Sequence, residues 1–186
     1  MISNAVTSLR IILLAPLFAL LVSGAGSGAR GWALAVFLAA GLTDVLDGYL
    51  ARKLGEVSAL GAMLDLIADR LLTAVTLVAL IAAGALRGWG VVAGLVLIVR
   101  DLVVASLNEA LPGRLAIRVS NLERVKITLH FTAVGLLIAP KVWPPQGHMD
   151  QYGVGALLLS LAAGLSVVTL VDYCGRALRA FSERAP

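Results

Sequence analysis

The sequence predicts an all-α, polytopic membrane protein with six transmembrane helices, and three observations carry that expectation. Hydrophobic residues make up 60% of the 186-residue chain and charged residues only 14%, where soluble domains average about 45–50% and about 25%. The mean hydropathy of +0.96 reflects an apolar excess spread along the whole length. Clusters of glycine, proline and charge interrupt this background at five places: GAGSGARG, RKLGEVS, GALRG, LPGRLAIR and KVWPPQGHMDQ. Such clusters mark turns.

Taken in order, the punctuation leaves apolar segments at about 5–24, 31–51, 59–84, 88–110, 119–140 and 151–178. A span needs roughly 20 mainly apolar residues. The first segment follows Ser3, Asn4, Thr7, Ser8 and Arg10 and runs on through Val22 without a clean small-residue cleavage site, so it is read as a retained helix. The second has 13 residues between Arg30 and Asp44, so its acidic end must enter a wet or protected cleft. No repeat or soluble appendage is evident, and residues 1–186 are read as one membrane domain. The lone Cys174 excludes an intrachain disulfide and a cysteine zinc cluster.

Charge placement gives an orientation. With the N-terminus inside, Arg10, Arg52, Lys53, Arg70, Arg100, Arg114, Arg118, Arg124, Lys126, Arg176, Arg179 and Arg184 fall on the inner side, and only Arg30, Arg87 and Lys141 outside. That bias predicts a protein of the cytoplasmic membrane with both termini in the cytoplasm. The pI near 9.7 then reports topology and contact with anionic lipid rather than nucleic-acid binding. Trp143 and Trp89 are placed as anchors at the outer interface.

The chemistry lies in residues 44–69, which read D-x2-D-G-x2-A-R-x8-G-x3-D-x3-D. Charge at membrane depth is costly and faces functional sites. Asp44 and Asp47 share one helix face, and Asp65 and Asp69 share another, so two antiparallel neighbours could close a four-carboxylate cage. Hard oxygen donors suit Mg²⁺, Mn²⁺ or Ca²⁺ rather than zinc or copper. Gly48, Ala51 and Gly61 keep the wall thin for a flat or bulky ligand, and Arg52 can grip a phosphate. A glycine alone is an ordinary packing notch and a lone interfacial aspartate an ordinary cap; the full spacing is what points to a diphosphate site. His130 and His148 lie far from the motif in sequence, and His130 is read as structural.

These residues resemble the signature of the CDP-alcohol phosphatidyltransferase family, at Asp44, Asp47, Gly48, Ala51, Arg52, Gly61, Asp65 and Asp69. The resemblance implies that family's six-helix fold and transfer of a phosphatidyl group from CDP-diacylglycerol to an alcohol, with release of CMP. It implies two divalent cations, Mg²⁺ or Mn²⁺, held by Asp44, Asp47, Asp65 and Asp69, with Asp69 also the general base. It assigns Asn4, Thr7, Gly48, Ala51, Arg52, Ser58 and Gly61 to the CDP-diacylglycerol site, on the cytoplasmic face of a homodimer.

Outside the signature, SNAVTSLRIILLAP, LIVRDLVVASLNE and VSNLERVKITLHF are most similar to family members whose acceptor is glycerol 3-phosphate. Arg100, Arg124 and Lys126 are then the residues expected to hold the acceptor phosphate, while Arg118 is read as a positive-inside residue. Leu66 and Asp101 depart from that group's usual proline and glutamate, and the Arg100–Asp101 pair resembles members that use phosphatidylglycerol. A divalent-cation transporter is the alternative from another class. One-sided acids, an arginine among them and the absence of a repeat weigh against it.

Overall fold

The computed structural model describes residues 2–24, 26–54, 59–110, 121–141 and 150–182, which form six helices and no strand among the described residues. They are α1 (Ile2–Val22), α2 (Gly26–Leu54), α3 (Ala59–Ala82), α4 (Trp89–Ala110), α5 (Asn121–Ile138) and α6 (Gln151–Ser182). The boundaries follow the sequence punctuation, except that α1 starts at Ile2 rather than about 5, α6 runs to Ser182 rather than about 178, and α2 departs at both ends. The glycine-rich GAGSGARG run was expected to be a turn, yet α2 already begins at Gly26. Among the described residues of this run a left-handed backbone occurs at Gly24, with φ of 65°, and the later glycines carry helix. The RKLGEVS break also comes later than expected, since α2 continues through Arg52 to Leu54.

Two hub helices organise the fold. α1 packs along both α2 and α3, and α6 packs along both α4 and α5; contacts of α2 with α5 and of α3 with α4 and α5 join the two groups. The buried face of α1 runs Thr7, Arg10, Leu14, Leu17 and Leu21, alternating steps of three and four along one side of the helix. Pro16 sits inside α1, where it removes one backbone donor. Just past the end of α3, Gly84 (φ 66°) lets Ala85 N donate to Leu80 O at 3.0 Å in a Schellman-type closure.

Large apolar side chains cover the outside. Leu9, Trp32, Leu66, Leu95, Ile127 and Val168 are all more than half exposed. In water such a surface would drive aggregation; against lipid it is the ordinary exterior. The protein is a membrane protein by this helical, apolar make-up. Among the described residues two helices, Trp89–Ala110 and Gln151–Ala180, are long and apolar enough to cross a bilayer by length and composition. The expectation of six such helices is therefore met only in part. Arg10 in α1, Asp65, Asp69 and Arg70 in α3, and Arg124 and Lys126 in α5 place charges within helices that are otherwise apolar. Exposed Trp32 and Trp89 lie near the N-terminal ends of α2 and α4; Trp143 lies outside the described residues.

One end of the bundle is tied by polar contacts. Arg30 Nη1 donates to Leu137 O at 3.3 Å, and its guanidinium lies over the Tyr152 ring, 5.1 Å from the centroid. Lys141 Nζ sits 5.0 Å from the same centroid and pairs with Asp150 at 3.2 Å. Asp150 Oδ1 accepts from Gly153 N at 2.8 Å, which caps α6. Buried Gln151 places its Nε2 at 3.0 Å from Leu136 O, 3.3 Å from Ala139 O and 3.2 Å from Pro140 O, serving the orphan carbonyls that end α5. Gly153 N–H and the Lys141 ammonium hold the Asp150 carboxyl below the usual carboxylate range.

Candidate active site

The acidic motif spans the C-terminal half of α2 and the N-terminal half of α3. Asp44, Asp47, Gly48, Ala51 and Arg52 all lie within the helical backbone of α2, but their side chains are outside the described residues. Asn4 lies in α1 under the same restriction, and Ser58 and Arg118 are outside the described residues altogether. On α3, Gly61, Asp65 and Asp69 follow at four-residue spacing, so they stack along one side of the helix. Gly61 is buried, and the Asp69 side chain is exposed. Among the described residues no group of three or more acidic, histidine or cysteine side chains forms a metal cluster.

The residue that meets the motif from outside it is Arg10. Its Nη1 donates to Asp65 Oδ1 at 3.0 Å, across the contact between α1 and α3. Arg10 is 1% exposed and the Asp65 side chain 48%, so the guanidinium supports the carboxylate from the protein side. Thr7, one turn earlier on α1, is also buried. Sequence reasoning counted Arg10 only as an inner-side charge. The signal was present in the spacing, since Arg10 falls on the buried stripe of α1.

The three expected acceptor cations divide. Lys126 is 8% exposed on α5, whereas Arg124 is exposed. Arg100 Nη1 pairs with Asp101 Oδ1 at 3.0 Å on α4. Asp101 and Lys126 both lie close enough for their charges to act on His130, so α4 and α5 bring Asp101, Lys126 and His130 into one neighbourhood. The His130 Nδ1 is buried with no hydrogen-bond partner among the described residues. Nearby on α4 and α6, the Tyr173 hydroxyl donates to Asn108 Oδ1, and the Arg176 guanidinium stands 5.5 Å from the Tyr173 ring centroid. Neither Asn108 nor Tyr173 was expected from the sequence.

Gly41 sets how α5 meets α2. A Cβ there would come within 2.6 Å of the Phe131 ring, so the missing side chain is a seat for that ring. Phe131 also stacks on Phe37, with centroids 4.8 Å apart. The seat lies one turn before Asp44, and Phe131 follows His130 directly, so acid-bearing α2 and cation-bearing α5 are locked together between their polar sites.

Known proteins share the sequence and the fold of this chain. The probable phosphatidylglycerophosphate synthase of Mycobacterium tuberculosis is 33% identical over 180 residues, covering 96% of this chain and 82% of the relative. The CDP-diacylglycerol–glycerol-3-phosphate 3-phosphatidyltransferase of Haemophilus influenzae is 33% identical over 141 residues, covering 74% of this chain and 72% of the relative. The crystal structure of the apo phosphatidylinositol phosphate synthase of M. tuberculosis shares the fold, with a TM-score of 0.67 at 24% identity over 95% of this chain and 88% of that one. The profile of the CDP-alcohol phosphatidyltransferases matches residues 1–169, through α1–α5 and into α6. With the acidic spacing laid along α2 and α3, this chain belongs to the CDP-alcohol phosphatidyltransferase family.

Proposed function

We propose that the protein transfers the phosphatidyl group of CDP-diacylglycerol to sn-glycerol 3-phosphate, giving phosphatidylglycerophosphate and CMP. The observation that carries this reading is the Asp65–Asp69 pair, one turn apart on α3, completing the motif begun on α2. Several relatives carry the names of enzymes with this acceptor. In this reading residues 1–186 form one membrane domain of six spans, working as a homodimer with its site and termini on the cytoplasmic side.

The donor set fits a divalent cation. It is carboxylate only, and its Asp65 already holds a positive guanidinium at 3.0 Å. Asp44, Asp47, Asp65 and Asp69 would hold two Mg²⁺ or Mn²⁺ ions, and a solved relative's structure was obtained with manganese and citrate. When bound, such ions neutralise diphosphate oxygens that otherwise repel an incoming alcohol. Asp69, exposed on α3, takes the proton of the attacking hydroxyl as general base. Asn4, Thr7, Gly48, Ala51, Arg52, Ser58 and Gly61 bind CDP-diacylglycerol, with Arg52 suited to bidentate phosphate contact. Lys126, Arg100 and Arg124 bind the acceptor phosphate, and Lys126 is the best supported because it is withdrawn from the surface among polar neighbours.

The test is CMP release and lipid analysis with CDP-diacylglycerol and each alcohol. Phosphatidylglycerophosphate from glycerol 3-phosphate is expected, and a chelator should abolish turnover; metal-independent activity would remove the cation site from the mechanism. Lys126→Ala should raise KM for glycerol 3-phosphate more than KM for CDP-diacylglycerol, and an unchanged acceptor KM places that site elsewhere. The second reading, cardiolipin synthesis with phosphatidylglycerol as acceptor, draws on the Arg100–Asp101 pair. A rice cardiolipin synthase is 35% identical over 152 residues, covering 74% of this chain and 46% of that protein. Cardiolipin as the product selects it.

A further inference from the structure

Among the described residues, the buried positions of the α1 stripe are Thr7, Arg10, Leu14, Leu17 and Leu21, and one of them carries a full charge. A buried charge persists in such a place only when something compensates it. For Arg10 a compensating group is Asp65, 3.0 Å away on α3. The pairing is lopsided in a useful way. Arg10 is enclosed, whereas the Asp65 side chain is 48% exposed, and the guanidinium meets it at Oδ1. The cation is therefore inside the fold, and the carboxylate keeps an exposed side.

We propose that Arg10 is the resident counter-charge and positioning residue of the acidic site. It balances the charge of Asp65 and holds its carboxylate in place, so that α1 and α3 can pack without awaiting a dication. This inference rests on the acids being a divalent-cation site. Electrostatics fixes the sign of its consequence. Without Arg10 the acids repel one another more strongly, and a bound dication relieves more repulsion than it does in the wild type.

The experiment uses the full chain in lipid nanodiscs, melted in EDTA and in saturating Mn²⁺. Arg10→Gln is expected to lower the metal-free melting temperature and to enlarge the Mn²⁺-induced rise by about 3 °C or more, while Arg10→Lys restores the wild-type pattern. A residue that only packs would lower both melts equally; that result, or no change in either, overturns the proposal. If Arg10→Gln does not fold in either condition, the double variant Arg10→Gln/Asp65→Asn decides. Recovery of folding in EDTA supports mutual compensation, and a double variant no more stable than either single one overturns it. Wild-type protein that neither responds to Mn²⁺ nor releases CMP would instead sink the reading of the acids. A wild type that does both, beside an Arg10→Gln chain with the same Mn²⁺ response, sinks only the role of Arg10.

Discussion

The two ends of the bundle use the same kinds of residue to opposite effect. Around Tyr152, two cations lie against one aromatic ring, one carboxylate caps a helix, and Gln151 reaches three carbonyls. Their polar groups answer groups on α2, α5 and α6 at that end, so among the described residues the cluster holds helices to one another. At the Asp65 end, a buried arginine meets a half-exposed carboxylate, with Asp69 exposed one turn further along α3. Charge there is directed outward. Polar groups enclosed in mutual contacts mark a joint, and exposed acids set beside a buried cation mark a candidate site.

The comparison can be broken most forcefully at the acidic end. Asp69→Asn should lower kcat by about 10²–10⁴-fold with the fold intact, as expected for loss of a general base. Steady-state CMP release beside a melting curve checks this, and wild-type turnover would return Asp69 to the status of a surface acid. Between the ends, Gly41→Ala drives a methyl to within 2.6 Å of Phe131. It should cost about 1–3 kcal/mol in stability and, by shifting α5, weaken the response to acceptor more than to CDP-diacylglycerol. A measured stability equal to wild type means the ring moves freely aside.

At the joint, effects should be confined to stability. Gln151→Leu leaves carbonyls at the end of α5 without their side-chain donor and should cost about 1–3 kcal/mol with kcat unchanged; a loss of kcat would show the ends to be coupled. The smallest effect concerns pH. The Asp150 carboxyl is held below the ordinary range, so its contribution is present above the unfolded carboxylate pKa. That contribution fades as pH falls through the lower folded value. Wild-type and Asp150→Asn melting temperatures should therefore converge only in acid, and a gap independent of pH would assign the effect to packing.

Much of this was legible in the sequence because membrane helices leave strong marks. Glycine and charge clusters placed the six helices within a few residues, and the missed extension of α2 arose because a helix tolerates isolated glycines at about 1 kcal/mol each. The motif put Asp65 and Asp69 on one face by spacing alone. What spacing along a helix does not reveal is which distant side chain answers it. Arg10 lies 55 positions from Asp65, and its place on an apolar stripe was the only local sign. Arg30 and Lys141 were counted as topology charges yet serve as helix ties, since a count of charges carries no information about partners. The seat at Gly41 needed the third dimension, because an absent side chain has no pattern until its occupant is known.

The length of α6 has a consequence of its own. Its 32 residues extend about 48 Å at 1.5 Å per residue, against a hydrocarbon layer about 30 Å thick. An upright α6 therefore overshoots the oily layer by several turns, and a tilted one spends the surplus sideways. Because α6 is the hub for α4 and α5, its lean sets theirs. A change in bilayer thickness would then be felt first along this one long strut, which runs from Gln151 to Ser182.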